Sequence, residues 1–274
     1  MNDQACKVEA AVLRHEAVCP GFYCLELDAP LIATKAQPGQ FVQVRVSRGL
    51  DPLLPRPISF FGIDAAAGTV RLLYAAIGKG TQLLAELAVG EKVTLWGPLG
   101  QGWALPEAIT AAGEVMPVFV AGGIGIAPLL PLAAAWAKAG QPGMLLYGGR
   151  SQSLMPAIGD FEALGVKVAL ATEDGSAGHQ GYVTGLLDQV AQASGEQTPL
   201  LYVCGPHPML NAVQQAAAAR NWRCQVSMEE RMCCGLGACL SCVCKHQAEG
   251  APWTYAKVCT DGPVFWREEV IWDD

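Results

Sequence analysis

Between Val115 and Ala137 the chain carries no charged residue. A run of that length has two possible settings: a bilayer, whose hydrocarbon about 20 apolar residues can cross, or the inside of a folded protein. Its punctuation chooses between them. Pro117, Gly122, Gly123, Gly125, Pro128 and Pro131 would interrupt a spanning helix, whereas a buried strand, a glycine turn and a helix starting near Pro128 account for each of them. The segment is expected to be the core of a soluble fold.

The residues that follow repeat this theme. Further strands are expected at "GMLLYGG", "VKVALAT", "PLLYVCG" and "CQVSME", with helices beginning near Pro128, Gly181 and His207. Strand alternating with helix predicts a parallel, doubly wound sheet beyond about residue 114. In such sheets ligands gather at the carboxyl ends of the strands. Two turns fall there, "AGGIGIAP" from Ala121 and "CGPHPM" from Cys204. Either could let a dinucleotide pyrophosphate approach the backbone, and either could serve tight packing alone. The first is not a G-x-G-x-x-G fingerprint. The polar stretch "TEDGSAGHQG", Thr172 to Gly181, is read equally as a nucleotide contact or a plain loop.

The first hundred residues have another rhythm. Short runs, "KVEAAVLR", "FYCLELD", "FVQVRV", "PISFFGI", "TVRLLYAAI" and "EKVTLWG", alternate with Pro, Gly and Asp turns, as in a small antiparallel barrel. A short helix, "GTQLLAELAV", is expected between the last two. "RPIS" (Arg56 to Ser59) sets a permanent cation and a hydroxyl beside a proline, and "GKGT" (Gly78 to Thr81) suits a pyrophosphate at a helix start. Leu73, Tyr74 and Ala75 could line a flat cofactor. Singly, each also fits a bland role: a surface ion pair for Arg56, a helix cap for Thr81, ordinary core for Tyr74.

Composition limits the partners. With 51% hydrophobic and 16% charged residues in 274, the chain is globular and long enough for two cores. A net charge of -7 without a concentrated basic surface opposes nucleic acid as the main partner. The opening "MNDQACKVEAAVLRHEAV" mixes charges through its length, so no secretory signal is expected and the protein should stay in the cytoplasm. There, 11 cysteines are poor evidence for disulfides.

Spacing sorts those thiols. Cys234, Cys239 and Cys242 form C-x4-C-x2-C, the plant-type ferredoxin spacing for a 2Fe-2S cluster, with Cys259 as fourth ligand. Gly235 and Gly237 permit the unusual dihedrals by which such a loop turns its N–H groups inward, and Ala238 adds little bulk. Zinc sites usually show two separated C-x2-C or C/H pairs, and only Cys239 and Cys242 make one. A structural zinc clip in a non-enzymatic binding module is the alternative of another class. Cys233 adjoins the first ligand and leaves a swap with Cys234 open. None of His15, His179, His207 and His246 has an evident nucleophile partner, so solvated or capping roles are expected for all four and no catalytic acid-base pair is assigned.

Taken in order, "RPIS", "GKGT", "GGIGIAP" and "CGPHPM" resemble the ferredoxin-NADP reductase superfamily. With "CGLGACLSC" and "CTDGPVF" added, nearly the whole chain resembles the iron-sulfur electron-transfer subunits of class B, NAD-dependent dihydroorotate dehydrogenases. The resemblance implies a FAD-binding β-barrel domain over 1–113, a doubly wound α/β NAD-binding domain over 114–228 and a 2Fe-2S cluster-binding segment over 229–274. It implies that Arg56, Pro57, Ile58, Ser59, Leu73, Tyr74, Ala75, Gly80 and Thr81 meet FAD. Gly122, Gly123 and Gly125 would shape the nicotinamide-nucleotide turn, with Cys204 near the ring, and Cys234, Cys239, Cys242 and Cys259 would hold the cluster. In that family a partner subunit with FMN oxidises dihydroorotate in pyrimidine biosynthesis, and electrons pass singly through the cluster to FAD and leave as hydride on NAD+. The cluster loop is then expected at the subunit interface, in a heterotetramer of two plus two. Similar subunits serve sulfide dehydrogenase or ferredoxin:NADP reductases, which remain alternatives. No role is assigned to Trp266 or Arg267.

Overall fold

A computed structural model describes residues 5–47, 49–109 and 115–272. The expected boundary between residues 113 and 114 lies outside the described residues. Six strands close an antiparallel barrel: β1 (Cys6–Cys19), β2 (Phe22–Asp28), β3 (Phe41–Arg45), β4 (Arg56–Asp64), β5 (Thr69–Ala75) and β6 (Lys92–Leu99), in the order β1-β2-β5-β4-β3-β6. Two short helices, α1 (Pro30–Ala33) and α2 (Lys79–Ala85), sit in its connections. β1 runs five residues past its expected end at Arg14, because Pro20 and Gly21 turn it straight into β2, with Gly21 at φ 77°.

Alternation along the strands gives the barrel two faces. Val42, Val44, Ile58, Phe60, Val70, Leu72 and Tyr74 fill its interior, while Phe61 and Leu73 point outward into the core of the second half. Phe41, also outward, joins the core beneath the C-terminal segment.

After α3 (Pro106–Ile109), the second half is a seven-stranded sheet. Its parallel strands are β7 (Val115–Gly122), β8 (Met144–Gly149), β9 (Lys167–Thr172), the two-residue β10 (His179–Gln180), β11 (Thr198–Cys204) and β12 (Arg223–Ser227). Helices α4 (Leu130–Lys138), α5 (Ile158–Ala163), α6 (Leu187–Ala193) and α7 (His207–Ala219) cover it. Every residue of β7 is buried, which is where the uncharged run goes. No helix among the described residues is long and apolar enough to cross a membrane.

Two expectations about helices shift. The helix predicted near Pro128 starts at Leu130, because Gly123 to Leu129 form a 3-10 turn containing Pro128, and Pro131 takes the first helical turn, where no N–H is needed. The helix predicted near Gly181 starts at Leu187, since Gly181 has φ 132° and a 3-10 turn, Val183 to Leu186, intervenes. α5 was not foreseen.

The C-terminal segment adds a hairpin, β13 (Val243–His246) with β14 (Thr254–Lys257), and then β15 (Val264–Trp266), which pairs antiparallel with β12 as the sheet's edge. This accounts for Trp266: it pairs with Gln225, and the Arg223 guanidinium lies 4.7 Å from its ring centre. Phe119 marks the centre of one sheet face, fully buried and stacked 6.0 Å from Tyr202. Phe119→Ala is expected to cost about 3–5 kcal/mol, read as a lower urea midpoint, and an unchanged midpoint would show that the core collapses to fill the space.

Candidate redox site

A cleft of about 1030 Å³ opens between the barrel and the carboxyl edge of the sheet. Arg56, Pro57, Ile58, Ser59, Leu73, Tyr74, Ala75 and Thr81 line one wall, and Gly122, Gly123, Gly125 and Cys204 the other. The two sets lie far apart in sequence. Gly80 does not line the cleft but makes room for a residue that does: a Cβ there would stand 2.6 Å from Arg56 Nε. The guanidinium lies over the start of α2 and donates to the Leu54 carbonyl at 2.7 Å.

Two barrel residues also have the ordinary roles weighed for them. The Thr81 hydroxyl accepts from Gly78 N–H at 3.2 Å and donates to its carbonyl at 3.1 Å, holding the first turn of α2. Tyr74 belongs to the barrel core and stacks on Tyr23 at 5.8 Å, with burial pushing its phenol well above the usual range. Its hydroxyl meets His15 Nε2 at 2.8 Å, and His15 Nδ1 meets the Leu87 carbonyl at 2.8 Å. Because a carbonyl only accepts, Nδ1–H donates to Leu87, and in the neutral ring Nε2 is left to accept from the Tyr74 hydroxyl. His15 is thus a cross-brace from β1 to β5, not the solvated or capping residue expected.

On the opposite wall the two glycine turns touch each other. A Cβ at Gly125 would stand 2.2 Å from the Cys204 carbonyl oxygen, and one at Gly122 would stand 2.5 Å from Met209 Sδ. Gly123 has open space but needs φ 53°. Tight packing and exposure of backbone to the cleft therefore coexist here. Burial pushes the Cys204 thiol up to about 12, against the lowering effect of Ser227, so it stays protonated at neutral pH.

The cysteine loop adjoins this cleft through Met228 to Met232, which line it. Gly235 and Gly237 adopt φ 68° and 78°, turning the backbone N–H groups of Leu236 and Cys239 onto Cys234 Sγ, each at 3.4 Å. Burial alone would raise the Cys234 thiol. The N–H groups of Leu236, Cys239 and Ala238 and the Cys239 thiol outweigh it and bring Cys234 to about 6.

Cys239 Sγ stands 3.3 Å from Cys234 Sγ, while the free thiols of Cys259 and Cys242 are hydrogen-bonded neighbours, so the four thiols stand as two pairs. Burial and the neighbouring Cys242 push Cys259 up to about 12. Among the described residues no group of three or more ligating side chains stands ready-assembled around a single point. Two adjacent thiol pairs beneath inward N–H donors fit a binuclear cluster. Cys233 is exposed, whereas Cys242 and Cys259 are buried.

Sequence reasoning missed the run Ser227 to Met232, together with Phe41 and Ile77, as cleft residues. Ser227 ends a parallel strand, so the rule that ligands gather at carboxyl ends could have found it.

Comparison with known proteins bears on this geometry. Residues 229–271 match the model of the iron-sulfur cluster binding domain of dihydroorotate dehydrogenase B, and residues 119–215 that of the oxidoreductase NAD-binding domain. The dihydroorotate dehydrogenase B (NAD(+)) electron transfer subunit of Desulforamulus reducens is 38% identical, over 97% of this chain and 98% of its own. That of Shouchella clausii is 42% identical, over 95% and 96%. The chain belongs to this family of electron transfer subunits.

As a member of the dihydroorotate dehydrogenase B electron-transfer family it is an oxidoreductase subunit for NAD-linked electron transfer, with 2Fe-2S, FAD and NAD as its cofactors, and it works with a catalytic partner. The fold extends more widely. The structure of an NADH-dependent reduced ferredoxin-NADP oxidoreductase superposes with TM-score 0.82 at 24% identity, covering 97% of this chain and 90% of that one. A ferredoxin reductase of carbazole 1,9a-dioxygenase gives 0.65 at 21%, over 80% and 67%.

The contact between the glycine turns is testable by stability. Gly125→Ala must push a methyl into a carbonyl oxygen and is expected to cost about 1–3 kcal/mol in urea denaturation. Gly159→Ala, whose Cβ meets nothing, is expected to leave the midpoint unchanged or slightly raised.

Proposed function

We propose that this chain carries electrons from an FMN-containing, dihydroorotate-oxidising catalytic subunit to NAD+, in the cytoplasm, within a complex of two plus two subunits. One observation carries the reading: a single cleft joins the "RPIS" strand, both glycine turns and the lead into the cysteine loop. FAD bound there would supply the exchange between a hydride and single electrons that links a nicotinamide to a cluster.

The residues divide the work. Arg56, over Gly80 and the start of α2, offers a cation to a pyrophosphate; Pro57, Ile58, Ser59 and Thr81 form the rest of that wall. Leu73, Tyr74 and Ala75 give an apolar flank, and the His15 bond holds the Tyr74 hydroxyl on the β1 side. Gly122, Gly123 and Gly125 let a dinucleotide lie against bare backbone, with the neutral Cys204 thiol beside its nicotinamide. Cys234 with Cys239, and Cys242 with Cys259, are the ligand pairs of the cluster. Three domains, over 1–113, 114–228 and 229–274, carry these tasks. The cysteine loop turns Leu236 and Leu240, 45% and 73% exposed, to solvent. Apolar side chains on a cofactor loop suit docking of the catalytic subunit, which brings its flavin near the cluster.

The test is the visible spectrum of the chain purified with its catalytic subunit. About two irons per FAD are expected, and anaerobic dihydroorotate is expected to bleach the flavin and cluster bands, with recovery on NAD+. Bleaching by NADH but not by dihydroorotate would overturn the substrate and partner. Cys259→Ser is expected to lose iron while keeping FAD, measured by metal analysis and flavin release; retention of the full iron content would remove Cys259 from the ligand set.

A further inference from the structure

On β3 the side chains alternate: Val42 and Val44 enter the barrel, and Phe41 leaves it to pack with Cys242, Val258 and Cys259. Gln43 shares the outward face with Phe41. It pairs with Pro57 of β4, and Phe41, Pro57 and Met232 all line the cleft. On its other side is the cysteine loop, where a Cβ at Gly235 would stand 2.4 Å from Gln43 Nε2. This carboxamide therefore lies between the cleft and the residue that follows Cys234.

Its polar atoms are poorly used. Gln43 is 1% exposed. Among the described residues the acceptor for its Nε2–H is the thioether of Met232 at 3.9 Å, and Oε1 meets no donor. Leaving a buried amide half satisfied is costly, and an apolar side chain of similar size would avoid the cost. Sulfur cannot serve Oε1, since both are acceptors; the half of this amide that a bound sulfur can complete is the Nε2–H, now held only by a thioether.

We propose that Gln43 is a positioning residue for the cluster, its Nε2–H donating to sulfur on the Cys234 side. This rests on the cluster reading above. The Leu236 and Cys239 amides already point at Cys234 from within the loop, whereas Gln43 reaches the loop from the barrel. A thiolate or sulfide is a far better acceptor than a thioether. Donors to sulfur favour the reduced, more negative cluster and raise its reduction potential. The barrel wall of the flavin cleft thereby sets the potential of the cluster beside it.

The experiment uses the complete complex labelled with 15N in glutamine side chains. Pulsed EPR of the reduced cluster is expected to show a 15N coupling that disappears in Gln43→Met. In the same variant the cluster midpoint is expected to move negative in a dye-mediated titration, with the FAD midpoint and the iron content unchanged. Absence of a 15N coupling in the parent, which needs no variant to fold, would overturn the proposal, as would coincident cluster midpoints. A parent complex without an EPR-active cluster would instead overturn the cluster reading itself. Gln43→His, which restores a ring N–H donor, is expected to recover part of the shift; a His variant no different from Met would count against a hydrogen bond.

Discussion

The structure turns on how residues 258–266 are wedged between the two halves. Gln101 N–H donates to the Gly262 carbonyl at 2.5 Å from the end of the barrel, and Met228 N–H donates to the Pro263 carbonyl at 2.8 Å from the sheet. β15 then seals onto β12. Room for this exists only because side chains are missing: a Cβ at Gly100 would stand 2.5 Å from Pro263 Cδ, and one at Gly262 would stand 2.3 Å from the Phe265 ring. The wedge buries Cys259 against Cys242 and gives the cysteine loop its floor. Barrel, sheet and loop are thus held in one arrangement by a short length of chain.

What surrounds the cleft is suited to holding cofactors rather than to moving protons. Burial raises both Cys204 and Tyr74, so thiol and phenol stay neutral, and the two glycine turns present backbone rather than side chains. Such walls are chemically quiet. They leave reactivity to the bound groups and control it through distance, orientation and hydrogen bonding.

Much of this was legible in the chain. β2 occupies the predicted "FYCLELD", because alternation and flanking turns define a strand locally. The parallel strands are readable for another reason: buried on both faces, they appear as apolar runs closed by glycine. Cysteine spacing picked out the same four thiols that the structure sets in two pairs, because the loop carries its own geometry. What was hidden depends on contacts between distant segments. Nothing near Gln43 announces that Gly235 will lie against it, and nothing near His15 announces Tyr74 or Leu87. β15, three residues long, exists only because β12 offers it an edge. Pro128 misled in the opposite direction, as a helix-start signal spent inside a 3-10 turn.

The hairpin between the third and fourth cysteines gives the segment a freedom the rest of the site lacks. Val243 faces Lys257 in its ladder, and Val258 N–H donates to the Cys242 carbonyl at 2.8 Å, so strand pairing aligns Cys242 with the stretch that leads to Cys259. The turn across 247–250 is exposed and takes no part in that alignment. Its length can drift, or a tag or whole domain be inserted there, while the ladder beneath keeps its two strands in register. Within a segment otherwise fixed by close backbone contacts, this is the place where evolution or an engineer can add chain without disturbing the metal site.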